Sequence, residues 1–494
     1  MSAFQNIINS SYYLVAYRYS TRILGFFTLL YVARIIPPEE FGNFTVVISF
    51  LAIVDSLISL PFENSIIQST KLGKKDINSI WTYSRFLRSI FLFFIFNLIV
   101  TFFNFKFFID DKNLYYIASL SILGNGLYNT YISQSVRNID YKGDMVSSFL
   151  GRFSRLLLLI VLCTYFKNAY ALVISWLIEI YIKSLSSYFV SKKKVSFSLD
   201  VNPIRKHLKY SIYAYFVNLF DQLMLNLDNL LAVSFIGIKF AGFFQATKRV
   251  NAEFTADFKM ILEKILFPLY SRIQKKNKEI LNNINLYFPL LIYLAGITTL
   301  IAFLLIEDLI KIVLGEKWID IIVLCKIFLI YGFFNILNVQ ARSILRALAI
   351  QKYIIYSSIT YLILITLLSY NFYYFKLLDE KLFVFIISFA YAVSVIINIY
   401  FVKISIGLNI LRFFKKNFVS FFSLICTLSI LLILDFKYLN NLNNYILILF
   451  IKFIIILILI FKLFIFYKYN ISNFQIIIKY LIKKIFKKNK IKFF

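Results

Sequence analysis

The sequence predicts an all-α integral membrane protein of about 14 transmembrane helices, arranged as two pseudo-symmetric six-helix lobes followed by two C-terminal helices. Three observations carry this expectation. The 494-residue chain is 60% hydrophobic and only 16% charged, with a mean hydropathy of +0.78, whereas an ordinary soluble domain is about 45–50% apolar and about 25% charged. That much apolar surface excludes a water-soluble enzyme. Apolar runs recur at the ~20 residues needed to cross the hydrocarbon layer, and the basic residues between them fall unequally on alternate sides.

Taken in order, spans are expected near 11–36, 42–62, 79–104, 114–136, 145–166, 169–190, 210–236, 242–268, 286–306, 319–341, 354–375, 381–403, 417–436 and 445–467. They are long and continuous, unlike the short alternating segments of a membrane β-barrel. One set of alternate loops is rich in Lys and Arg, from Lys71, Lys74 and Lys75 through Lys192–Lys194 and Arg272–Lys278 to the tail from Lys468. The other set holds Arg34, Lys106, Lys112, Lys167, Lys239, Lys311, Lys317, Lys376, Lys381 and Lys437. The asymmetry is about threefold and orients both termini to the cytoplasm by the positive-inside rule. The segment 242–268 is the awkward one, because it carries Lys248, Arg249, Glu253, Asp257, Lys259, Glu263 and Lys264. It is kept as a span because the basic loops on either side must share one face; the competing reading is a helix on the membrane surface. The domain plan is therefore 1–200 and 201–409 for the two lobes, 410–468 for two additional helices, and 469–494 for a basic tail. In that tail Lys and apolar residues alternate at helical spacing, as in an amphipathic helix on an anionic leaflet or a simple orientation signal.

Composition narrows the chemistry. The formal net charge of +30, from 54 Lys+Arg against 24 Asp+Glu, is absorbed by the orientation signal, so nucleic acid is not an expected partner. Cys163, Cys325 and Cys426 stand far apart, and His207 is the only histidine; neither a disulfide framework, a metal site nor a cofactor is expected. The residues from Met1 to Ser10 lack the charged start and cleavage site of a signal peptide, so the first apolar run is expected to be retained.

An internal repeat supports the two-lobe plan. Residues 30–44 (L-Y-V-A-R-I-I-P-P-E-E-F-G-N-F) align without a gap on residues 230–244 (L-L-A-V-S-F-I-G-I-K-F-A-G-F-F), matching Leu30 to Leu230, Ile36 to Ile236, Gly42 to Gly242 and Phe44 to Phe244. Both stretches leave an outward span, turn, and re-enter with a glycine. Both halves begin on the same side, so the repeat is parallel, about an axis along the membrane normal.

At these residues the chain resembles a known family. A-R-I-I-P-P-E-E-F-G-N-F is similar to the first loop of polysaccharide (O-antigen or exopolysaccharide repeat-unit) flippases of the Wzx type, in the MOP superfamily. I-L-F-P-L-Y-S-R-I-Q (265–274) and L-I-K-I-V-L-G-E-K-W (309–318) resemble further motifs of that family, and A-L-A-I-Q-K (347–352) falls where the family has a related stretch, without its glycine. The resemblance covers most of the chain in the correct order and implies a MATE/MOP-like two-lobed transporter in the bacterial inner membrane. It implies movement of undecaprenyl-pyrophosphate-linked oligosaccharide between leaflets. It further implies lipid as surroundings, and glycosyltransferases and a polymerase of the same pathway as partners.

Charges inside spans are the candidate site. An ionisable residue at a span centre costs roughly 2.5–3.5 kcal/mol on insertion scales and normally faces protein or water. Arg18 and Arg22, Arg85 and Arg88, and Arg152 and Arg155 form three pairs at helical spacing, each on one face of its helix. Guanidinium forks bind phosphate oxygens bidentately, so these six are candidates for holding a pyrophosphate; Arg85 and Arg88 lie shallow enough to snorkel instead. Glu179 and Lys183, four apart, are expected to neutralise one another. Asp55, Asp221 and Asp228 are candidate carboxylates, either carrying a coupling cation or locking onto arginines.

No nucleotide-binding G-x-x-x-x-G-K-[ST] pattern is present, and no covalent chemistry is needed for a flippase. A MATE-like cation or drug antiporter is the rival reading, but cationic drugs call for carboxylates where this chain has arginines. A membrane enzyme such as a polysaccharide polymerase needs an extramembrane site, and the longest outward loop, about 307–318, offers none. Scaffolding leaves the intramembrane arginines unexplained. The topology is open to direct test: single cysteines at Lys193 and Asn440 are expected to label from opposite sides of the membrane, and labelling from one side overturns the fourteen-span map.

Overall fold

Pro37 and Pro38 fix the first turn of the chain. Proline lacks an N–H donor and holds the preceding residue out of the helical region, so helix α1 (Ala3–Ile35) stops there and α2 (Pro38–Ile58) starts with Pro38 at its first position and Glu39 and Glu40 in its first turn. Acidic residues there complement the helix dipole. The computed structural model describes residues 3–62, 66, 73–105, 107–137, 140–191 and 193–407. The spans expected at 417–436 and 445–467, and the basic tail, lie outside the described residues.

The remaining elements are α3 (Lys74–Trp81), a wide π-type turn at Thr82–Leu87, α4 (Arg88–Phe102), α5 (Asn113–Gly126), α6 (Tyr131–Arg137), α7 (Lys142–Tyr165), α8 (Ala169–Val190), α9 (Asn202–Phe235), α10 (Ile238–Arg272), α11 (Asn277–Leu309), a second π-type turn at Ile310–Leu314, a 3-10 turn at Glu316–Trp318, α12 (Ile321–Ala347), α13 (Lys352–Tyr374) and α14 (Glu380–Ile406). Every regular element among the described residues is helical. Among the described residues, eight stretches are long and apolar enough to cross a membrane, including Lys74–Phe102, Ala169–Val190, Asn277–Leu314 and Glu380–Ile406. The charged segment 242–268 lies within α10, whose 35 residues run about 52 Å at 1.5 Å per residue, longer than a hydrocarbon core. The expected span 114–136 is not continuous. It is two helices, α5 and α6, because the chain turns at 127–130 and Asn129 caps the second piece, its side-chain oxygen accepting from the Tyr131 N–H at 3.1 Å.

The helices gather into two compact units. One contains Met1–Thr247, Leu309–Leu324 and Ser358–Ile386; the other contains Lys248–Asp308, Cys325–Ser357 and the chain from Ile387. The first is cored by Val46, Val47 and Phe50 of α2 against Leu92 and Phe96 of α4, Tyr115 and Ala118 of α5, and Val173 of α8. The second is cored by Tyr270 of α10, Ile284, Phe288 and Ile292 of α11, and Ile336, Leu337 and Ile344 of α12. Several of its uncharged polar side chains bond to one another. Tyr391 donates to Asn335 at 3.0 Å and accepts from Asn338 at 3.2 Å, and Asn398 donates to Asn338 at 3.0 Å.

Within the first unit the two repeated glycines meet. A Cβ on Gly42 would collide with the Ile238 carbonyl, and one on Gly242 would collide with the Pro38 carbonyl. The starts of α2 and α10 thus cross backbone against backbone, a separation open only to residues without a side chain. Trp318 closes the cluster. It is buried, donates its Nε1–H to the Ala33 carbonyl at 2.8 Å, and meets Phe41 and Phe243 edge-on at 5.8 and 6.0 Å. Gly315, at φ +90°, makes the turn that delivers Trp318, a conformation that penalises any Cβ. Glu40 reaches across to accept the N–H of Ala169 at 2.7 Å, capping α8. Gly42→Ala or Gly242→Ala is expected to force the two helix starts apart and to destabilise the protein by at least about 1–3 kcal/mol. Thermal unfolding of purified protein reads this as a lowered midpoint, and an unchanged midpoint in both variants contradicts the close crossing.

Candidate functional site

The break between α5 and α6 leaves backbone groups without a helical partner, and each buried one must find another. Arg85, carried by the π-type turn at Thr82–Leu87, donates from Nη1 to the Asn125 carbonyl at 3.0 Å. The Asn129 N–H donates to Ser187 Oγ at 3.0 Å, and the Asn129 side chain donates to the Lys193 carbonyl at 2.8 Å. A π turn adds a residue to the helical circuit and re-aims the side chains around it, which is why such turns recur at functional sites.

Beside the break is a cavity of about 330 Å³, lined by Arg85, Asn125, Tyr128, Ile132, Ser133, Val136, Asp144 and Lys183. Tyr128 links the charged groups of its wall. Its hydroxyl donates to Asp144 Oδ1 at 3.0 Å, the Arg85 guanidinium carbon lies 4.8 Å from its ring centroid, and Lys183 Nζ lies 5.4 Å from the same centroid. Both cation distances are within the range at which a ring face attracts positive charge.

The other candidate arginines are placed differently. Arg88 donates from Nη1 to Asp55 Oδ1 at 2.9 Å and also to Ser59 Oγ. Arg155 donates from Nη1 to Glu179 Oε2 at 3.0 Å and lies 5.9 Å over the Phe44 ring. Arg22 and Arg152 are exposed at the surface of the first unit, and the Arg18 side chain falls outside the described set. Of the three candidate carboxylates, Asp55 is thus engaged by an arginine. Asp221 is half-buried and Asp228 buried in α9, where Asp228 Oδ1 accepts the N–H of Asn229 at 2.8 Å.

The expected Glu179–Lys183 pair is replaced by Glu179–Arg155, and packing explains the exchange. A Cβ on Gly151 would come within 2.7 Å of the Glu179 carbonyl, so α7 and α8 lie in near contact and Arg155, one turn beyond Gly151, is delivered to Glu179. Lys183 turns instead to the Tyr128 ring. Sequence alone picked out Lys183 only as a partner for Glu179, and gave no role to Tyr128, Asn125 or Asp144. The break at Asn129 was their only advance signal, a run of small and polar residues, G-N-G-L-Y-N-T, inside an expected span.

The long apolar helices define a multi-pass membrane protein. The chain belongs to the polysaccharide biosynthesis protein family, whose sequence model matches residues 31–323. It is similar to an uncharacterized membrane protein in the cps region of Klebsiella pneumoniae, 21% identical over 336 residues that cover 66% of this chain and 68% of that protein. It is also similar to the lipopolysaccharide biosynthesis protein WzxC of Escherichia coli (strain K12), 21% identical over 66% of this chain and 67% of that one. Its fold matches the lipid II flippase MurJ in the inward closed conformation, with a TM-score of 0.69, 15% identity, and coverage of 92% of this chain and 98% of that chain.

The Arg155–Glu179 pair has a measurable signature. Its side chains are 21% and 19% exposed, so solvent screens part of the interaction. Glu179→Gln, which leaves the guanidinium without its counter-charge, is expected to destabilise by about 1–3 kcal/mol. Arg155→Gln with Glu179→Gln is expected to cost less than the sum of the single changes; thermal unfolding of the four proteins gives the coupling, and strict additivity would falsify the pairing.

Proposed function

We propose that this protein is a flippase that carries polyprenyl-pyrophosphate-linked oligosaccharide repeat units across the bacterial inner membrane for O-antigen, capsule or exopolysaccharide biosynthesis. The observation that carries the reading is the concentration of cationic side chains on helices of the first unit, with a cavity whose wall bears both Arg85 and Lys183. In an apolar medium such side chains are retained for what they bind or pair with, and a pyrophosphate is the anionic part of this substrate. Family membership and the relatives' names support the substrate class. The work is transport and not bond-making, so the protein is not an enzyme.

In this reading the halves 1–200 and 201–409 act as lobes, with both termini in the cytoplasm. The sugars and pyrophosphate travel in a polar path while the polyprenyl tail stays in lipid, and the lobes expose that path to each side in turn. Pathway glycosyltransferases deliver the substrate and a polymerase consumes it. Arg18, Arg22, Arg152 and Arg155 are assigned to the pyrophosphate, Arg155 exchanging its Glu179 partner for it, with Arg85 and Arg88 as further candidates. Asp55, Asp221 and Asp228 are assigned to locking or ion coupling, and the Arg88–Asp55 contact at 2.9 Å favours locking for Asp55.

The test is transport of lipid-linked oligosaccharide at matched membrane abundance. Alanine at Arg18, Arg22, Arg152 or Arg155 removes charge-assisted hydrogen bonds worth roughly 1.5–3 kcal/mol each, so substrate affinity is expected to fall about ten- to a hundredfold. Lysine keeps the charge without the bidentate fork and is expected to rescue only in part. An arginine that merely snorkels is fully replaced by lysine. Full activity of the four alanine variants removes these residues from the substrate path.

A further inference from the structure

The cavity wall at the α5–α6 break carries two cations, Arg85 and Lys183, against one carboxylate, Asp144. Asp144 accepts the Tyr128 hydroxyl at 3.0 Å and sits in the first turn of α7, where the helix dipole favours negative charge, and its single charge leaves the wall net positive. The cations converge on one ring: the Arg85 guanidinium carbon and Lys183 Nζ lie 4.8 and 5.4 Å from the Tyr128 centroid. Two like charges on the wall of one cavity repel, and an anion bound in that cavity relieves the repulsion. Asn125, at the broken end of α5, fixes the Arg85 guanidinium from behind at 3.0 Å.

Size and depth narrow the anion. A volume of about 330 Å³ is at the small end of ligand pockets, which run about 300–1,000 Å³, and has room for a phosphate or diphosphate head. Lys183 lies seven residues before the end of α8 at Val190, about 10 Å at 1.5 Å per residue, and Asp144 lies two residues after Lys142. The cavity is therefore at the end of the bundle that carries Lys142, Lys193 and Lys194. By the positive-inside rule that end faces the anionic inner leaflet, where basic pockets between helices take lipid head groups.

We infer that this cavity is a lipid-phosphate site, with Arg85 and Lys183 holding the phosphate and Tyr128, braced by Asp144, spacing the two cations. Two lipids present that chemistry at this depth: an anionic phospholipid of the leaflet, and the diphosphate end of a polyprenyl-linked substrate. The second source rests on the flippase reading; the site itself does not.

The full-length protein, purified in phosphatidylcholine nanodiscs, is titrated with farnesyl diphosphate and, separately, with phosphatidylglycerol, and bound lipid is read by native mass spectrometry. Wild-type protein is expected to bind at least one of them, with affinity about tenfold or more weaker in Arg85→Gln and Lys183→Gln and unchanged in Lys276→Gln. Farnesyl diphosphate binding alone assigns the site to the substrate end. Phosphatidylglycerol binding, alone or as tight, assigns it to a leaflet lipid. Unchanged affinity for both lipids in both variants overturns the proposal, as does inorganic pyrophosphate binding as tightly as either lipid. Arg85→Gln also removes a partner of the helix break, so Lys183→Gln, whose ammonium meets a ring and not a helix end, decides the matter if the first variant fails to fold. Oligosaccharide transport by the same preparations separates the two readings. Wild-type protein that binds lipid phosphate but moves no oligosaccharide removes the flippase and leaves the site. Variants that transport and bind both lipids as wild type remove the site and leave the flippase.

Discussion

The first unit is organised by the contact of two backbones at Gly42 and Gly242. Each glycine faces a carbonyl of the other helix start, from Ile238 and from Pro38, so neither helix can shift without opening a gap or striking an oxygen. Around this crossing the side chains have little latitude. Trp318 is held by the Ala33 carbonyl and wedged between Phe41 and Phe243, and Arg34 donates to the Ile312 carbonyl at 3.1 Å. Because lipid is as apolar as leucine, close backbone approach and buried hydrogen bonds supply the helix–helix adhesion that the hydrophobic effect supplies in water. Glu40 extends the same cluster to the start of α8, which carries Glu179 and Lys183 toward the opposite end.

Charge is handled in two ways in this unit. Where two helices run in near contact, a cation meets a carboxylate directly, as Arg155 meets Glu179 and Arg88 meets Asp55; a lone buried charge is far more costly than a paired one. Where a helix is broken, cations line a cavity instead, and the broken backbone is satisfied by Arg85, by Ser187 and by Asn129. The two solutions sit three residues apart on one chain segment, Arg85 in the π turn and Arg88 just beyond it.

The segment after α8 ties this region to the basic end. It has no regular structure over 194–201 and is pinned to α3 and the π turn by side chains. Asn78 donates to Ser196 Oγ at 2.5 Å, the Ser198 N–H donates to Thr82 Oγ1 at 3.0 Å, and Tyr83 donates to the Leu199 carbonyl at 2.9 Å. Lys193, at its start, receives Asn129 from the helix break. The break, the π turn and this strap therefore form one hydrogen-bonded assembly around the cavity, which gives a flexible-looking stretch of sequence a fixed geometry.

The sequence by itself determined the membrane class and the positions of most helices, because a run of apolar residues in lipid has few alternatives to a spanning helix. Ala169–Val190 appears at the residues expected, and the repeat at Gly42 and Gly242 was visible as matched letters. Family membership was also legible, since its motifs mark turns and helix ends that local chemistry fixes. Tertiary structure alone decided what the matched glycines do, because no pattern along one strand of sequence reports the distance between two helices 200 residues apart. It also decided the partners of the charges. Helical spacing placed Glu179 beside Lys183, but the approach of α7 at Gly151 offered Arg155 instead, and a guanidinium fork matches a carboxylate better than an ammonium does. The cavity was the least legible feature. Its wall is gathered from a π turn, a helix break and two helix faces, and only their packing brings Arg85, Tyr128, Asp144 and Lys183 to one place.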